Sequence, residues 1–88
     1  MKPKSATPEN YFILVTGVPI KNMKELANAL ENMNGWVFSH HVNDSRNDFA
    51  NWTKIIMKEY ELAEEMEEMM DPKEMEMLIL KHLVNKYM

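Results

Sequence analysis

The stretch His40-His41-Val42-Asn43-Asp44-Ser45-Arg46-Asn47-Asp48-Phe49-Ala50-Asn51-Trp52 is the densest run of hydrogen-bonding side chains in the sequence. Imidazoles, carboxylates, amides and one guanidinium so close together are the ingredients of a metal site or a proton-transfer site. Their spacing argues against the simple versions of either. Adjacent histidines on a helix point roughly 100° apart, so His40 and His41 do not ligate one ion together. The i, i+4 histidine pair of helical zinc sites is absent, and a metal would have to be assembled from His41 with Asp44, Asp48 or the distant His82. No metal and no cofactor are expected. Catalysis is equally short of parts: no serine stands with a base and an orienting carboxylate, and Gly17 and Gly35 are the only glycines, too few for a phosphate-cradling loop. The chain has no cysteine, which removes disulfides, thiol nucleophiles and thiolate metal sites. No catalytic residue is assigned, and the expected protein is not an enzyme.

Two readings of the stretch stay open. In the first, each residue makes a local structural bond: His41 sits at the core edge and bonds backbone, Asn43, Asp44 and Ser45 cap helix ends, Asp48 closes a box with Ser45, and Asn51 reaches a neighbouring turn. In the second, the polar groups outnumber what capping requires. His40, His41, Asn43, Arg46, Asn47, Asp48 and Asn51 then form a binding patch for a protein partner. Arg46 and Asn47 suit a specific contact best, because a guanidinium fork and an amide each fix orientation through paired hydrogen bonds.

Whichever holds, the stretch must be positioned by the elements around it. Tyr11 to Thr16 is aromatic and β-branched and is followed by Gly17, which predicts a strand, a turn and a short return strand at Val18-Pro19-Ile20. Asn22 with Glu25 resembles a capping box, and Met23, Leu26, Ala27, Leu30 and Met33 recur at helical spacing, predicting a helix over 23–33. Asn34-Gly35 reads as a left-handed stop. Trp36, Val37, Phe38, His41 and Val42 fit a second helix of about two turns. Ser45 with Asp48 predicts the next cap. Phe49, Trp52, Ile56 and Tyr60 line one face of a third helix, with Leu62, Ala63, Met66, Met69 and Met70 keeping helical period beyond it. Asp71-Pro72-Lys73-Glu74 is the clearest boundary: an Asp cap, a proline whose missing N–H costs nothing at the first helical position, and a Glu that closes the box.

The last helix, reaching Tyr87, is apolar on two sides. Met75, Leu78, Ile79, His82 and Leu83 make one stripe, and Met77, Leu80, Val84 and Met88 make a second that is assigned to self-association, as a homodimer, or to a partner helix. The ten methionines fall largely in helices, where a flexible thioether fills irregular gaps. Charge is regional: residues 1–58 carry a net +2 and residues 59–88 a net −6. Glu59, Glu61, Glu64, Glu65, Glu67, Glu68 and Asp71 would repel phosphate backbones, so nucleic acid is disfavoured as a partner. No apolar run approaches the roughly 20 residues of a membrane span, and none resembles a signal peptide; a cytoplasmic protein without membrane contact is expected.

The pair His40-His41-Val42-Asn43 and Arg46-Asn47-Asp48-Phe49-Ala50-Asn51-Trp52, preceded by Ile20 to Leu26 and by Val37-Phe38, resembles an uncharacterised small domain of archaea and some bacteria, a domain of unknown function. The resemblance runs from Tyr11 to about Ala63. It implies a compact, mostly helical domain found alone or appended to larger proteins, and supplies no mechanism. The chain departs from it after the Trp52 helix, with Lys58-Glu59-Tyr60-Glu61 where relatives carry a Gly-Asp break.

The expected architecture is therefore mainly α: a flexible leader over residues 1–10, then one helical domain over residues 11–88, a compact bundle of four or five short helices with a short N-terminal β-hairpin. The expected function is a non-enzymatic protein-interaction or regulatory accessory module. A helix-turn-helix-like nucleic-acid-binding domain is the alternative, through a surface of Lys21, Lys24, Arg46, Lys54 and Lys58, and a small-ligand or metal sensor is a second.

Overall fold

A computed structural model describes residues 4–87, the side chain of Tyr87 excepted, so Met1 to Pro3 and Met88 lie outside the description. The fold is mainly α, with five short helices preceded by an antiparallel β-hairpin. In the hairpin, β1 (Phe12–Ile13) pairs with β2 (Pro19–Ile20) in the register Phe12 with Ile20 and Ile13 with Pro19. Gly17 closes its loop at φ +92, in the region where a Cβ is penalised. The predicted strand over Tyr11 to Thr16 is thus cut to two residues, because Leu14 already bonds around the turn, accepting from Gly17 N–H at 2.7 Å.

Helix α1 (Met23–Glu31) is capped by Asn22, whose side chain accepts from Glu25 N–H at 2.9 Å, while Glu25 accepts from Lys21 N–H. It ends at Glu31, two residues earlier than expected, with Asn32 as its C-cap. Asn34-Gly35 is not a left-handed stop: Gly35 opens α2 (Gly35–His41), and the Asn34 carbonyl accepts from Val37 and Phe38 N–H. The polar stretch after α2 folds as a second hairpin that the sequence did not predict, β3 (Val42–Asn43) against β4 (Arg46–Asn47). Its strands are too short to show alternation, so only the Asp44-Ser45 turn was legible. The cap of α3 (Asp48–Ile55) is correspondingly Asn47 rather than Ser45, which the hairpin turn occupies.

Tyr60 does not continue the third helix. The chain leaves α3 after Ile55, Met57 N–H bonds Trp52 O, Glu59 N–H bonds Thr53 O, and Lys58 takes φ +56 before α4 (Tyr60–Met66) begins. A lysine carries no turn signal, which is why the joint is silent in the sequence. Helix α5 (Pro72–Tyr87) starts as predicted, Asp71 accepting from Glu74 N–H at 3.0 Å. It lies against α1 and α4, and α3 lies against α4. Among the described residues, no helix is long and apolar enough to cross a membrane.

Leu26, Leu30, Phe49, Met57, Leu62, Met66, Met75 and Ile79 are fully enclosed at the centre, each such side chain contributing about 1.5–3 kcal/mol through burial. Around Phe49 the rings of Phe12, Phe38 and His41 close in at 5.1–6.1 Å between centroids. Residues 4–10, expected as a leader, are tied to this frame. Ala6 N–H donates to Lys21 O, Asn22 to Ser5, and Trp52 Nε1 donates to Asn10 O at 2.8 Å across the chain.

Candidate functional site

The β3–β4 hairpin gathers five of the seven residues of the candidate patch between the end of α2 and the start of α3. Helix α2 leaves its last carbonyls without helical partners, and hairpin side chains take them up. Asn43 Nδ2 donates to Ser39 O at 3.0 Å, and the Arg46 guanidinium donates twice to His40 O, from Nη2 at 2.6 Å and Nε at 3.2 Å. The Asn43 side-chain oxygen Oδ1 accepts from Ser45 N–H, which shapes the turn. Arg46 thereby places a positive charge at the C-terminal end of α2. Asp48 lies in the first turn of α3, and both charges have the sign their helix end favours.

His41 is enclosed, and both ring nitrogens are engaged. Val15 N–H donates to Nε2 at 3.0 Å, and Nδ1 lies 2.9 Å from Asp48 Oδ2. Because Nε2 accepts, Nδ1 carries the proton and donates to the carboxylate. An aspartate holding the Nδ1 proton is the orienting half of a catalytic dyad, but here the lone pair a general base would use is spent on a backbone N–H. Arg46 Nε approaches the same Asp48 oxygen at 3.4 Å. Among the described residues, no three His, Asp or Glu side chains converge to hold a metal ion.

Asn47 is wholly occupied by structure. Its side-chain oxygen caps α3 through Ala50 N–H at 2.9 Å, and its Nδ2 donates to Met66 O, the last residue of α4, at 3.0 Å. Only His40, whose ring stands edge-on to that of His41, and Asn51, on α3, project outward without such a role. Of the expected basic surface, Arg46 is folded back onto His40 O and Asp48. Helices α2 and α3 are joined by the β3–β4 hairpin rather than by the roughly three- or four-residue turn of a helix-turn-helix.

On α5 the two stripes separate. Met75 and Ile79 are buried and Leu78, His82 and Leu83 half-buried, whereas Met77, Leu80 and Val84 are 65%, 41% and 55% exposed. Met88, the fourth residue of that outer stripe, lies outside the described residues.

One cluster was not anticipated. Glu59, at the α3–α4 joint, is 8% exposed and accepts two hydrogen bonds from Lys86 Nζ, at 2.7 and 2.9 Å, with His82 Nε2 at 3.3 Å. Burial pushes its carboxyl upward, but the Lys86 bonds and charge, with His82 and Lys4, outweigh that and hold it below the ordinary glutamate value. In sequence Glu59 is one acid among many, and the only signal was that His82 and Lys86 share a helix face at i, i+4.

No protein-family model matches the chain, and neither the curated proteins nor the solved structures yield a match.

Proposed function

We propose that the chain is a non-enzymatic protein-interaction module, of the accessory or regulatory kind, that docks through the outer face of α5. The observation that carries this reading is the exposure of Met77, Leu80 and Val84 along the longest helix, on the side turned away from Met75 and Ile79. The His40–Asn51 patch supports it less than the sequence led us to expect, because His41, Asn43, Arg46, Asn47 and Asp48 direct their bonds inward. A photo-crosslinking residue at position 77 is expected to capture a protein, and Leu80→Glu to abolish capture with the melting temperature unchanged. Capture from position 51 but not from 77 would move the docking site to the hairpin patch.

A further inference from the structure

We infer that the outer face of α5 is occupied by α5 of a second copy of this chain, packed antiparallel and held in register by two Glu74–Lys81 ion pairs. This rests on the reading of that face as a docking surface and names its occupant. At roughly 100° per residue, Met77, Leu80, Val84 and Lys73 fall within one arc of about 60°, and Glu74 and Lys81 lie together along one flank of it. Residues 77 and 84 thus take heptad position a, 73 and 80 position d, and 74 and 81 position e. In an antiparallel pair each a layer meets a d layer and each e flank faces the other e flank. Met77 then packs on Leu80 of the second copy, and Val84 on the aliphatic stem of its Lys73. In the same register Glu74 faces Lys81 twice, once on each side of the two-fold axis.

The charges decide the direction. A parallel pair would set each e residue against a g residue of the second copy, and on α5 those are Glu76, which is buried and already paired with Lys73, and Leu83, which is half-buried; only the antiparallel pair sets Glu74 against Lys81 and is complementary to itself, as a closed two-fold interface requires. Among the described residues neither the Glu74 carboxylate nor the Lys81 ammonium has an ion-pair partner within the chain, so both are free to pair outward. Lys73 is different: its ammonium is held by Glu76 Oε1 at 3.0 Å, one turn further along the same helix, which leaves its stem as the packing surface. The helix is about 24 Å long, enough for four such layers, which places the dimer among the smaller, concentration-dependent interfaces.

Sedimentation equilibrium of the full chain up to about 1 mM tests this, with melting followed by circular dichroism as the control for folding. The wild type is expected to run at twice its 10.4 kDa mass at the upper concentrations. Lys81→Glu alone and Glu74→Lys alone are each expected to weaken the dimer about tenfold, since each turns two attractions into two repulsions. Mixing the two variants restores it, because every flank is then complementary. A wild type that stays monomeric throughout overturns the inference. So does a dimer that the mixture fails to restore. If the monomeric chain still captures a different protein from position 77, the docking reading stands and only its occupant is wrong; if it captures nothing, both fall.

Discussion

Two neighbouring histidines with identical chemistry do opposite things. The His41 ring lies among Phe12 and Phe49 with one nitrogen accepting from Val15 N–H and the other donating to Asp48, while His40 points outward. Removing the His41 ring empties a packed site and strands a backbone donor, so His41→Ala is expected to cost about 3 kcal/mol. His40→Ala, which touches no such feature, should stay within about 0.5 kcal/mol. Urea melts that rank the two variants equally would contradict this division. Nitrogen chemical shifts supply an independent check, because the neutral His41 ring must be the Nδ1–H tautomer.

Short helices need their ends satisfied, and here one asparagine serves two of them. Asn47 caps α3 and bonds the final carbonyl of α4, so it joins two helices that the chain separates at Lys58. Asn47→Ala is expected to cost about 1–2 kcal/mol, from the lost cap and the lost tie to the Met66 carbonyl, which keeps its bond from Met69 N–H. Asn51→Ala on the exposed face of α3 should cost less than about 0.5 kcal/mol. Thermal melts of the pair decide the matter, and a silent Asn47→Ala would return that residue to the category of a surface contact. The same logic explains the β3–β4 hairpin. It pairs little backbone, and its main contribution is to deliver Asn43 and Arg46 to the carbonyls at the end of α2.

At the scale of the whole molecule, Glu59 clasps the α3–α4 joint to the final turns of α5 through Lys86 and His82. Its carboxyl is held below 4.5, the value for an unstrained glutamate. A group depressed in the folded state contributes stability that is fully present above its unfolded value and is lost as pH falls through the folded one. Glu59→Gln should therefore be less stable than the wild type at neutral pH. The gap should begin to close as the pH falls below the ordinary glutamate range and should vanish once it has passed the depressed folded value, where the wild-type carboxylate is protonated in both states. Acid melts in which the gap stays constant or widens would show that the clasp contributes nothing through its charge.

Local signals determined much of this protein. The caps at Asn22 and Asp71, the left-handed turn at Gly17, and the helical periods through Phe49, Trp52, Met75 and Ile79 are short-range consequences of side-chain type, and they specified a mainly helical chain with an N-terminal hairpin. The split of α5 into an inner and an outer stripe was legible for the same reason, since a helix displays its period whether or not a neighbour is present. What the sequence could not show depends on partners distant in the chain. Lys58 adopts a left-handed backbone because packing on both sides of it demands a break, not because lysine favours one. Likewise the His40–Asn51 residues offered donors and acceptors in plain view. Whether these face a partner or turn back on Val15, Ser39, His40 and Met66 was decided only when the tertiary fold brought those backbone groups within reach, since a buried or helix-terminal carbonyl left unbonded costs more than an exposed amide gains from water.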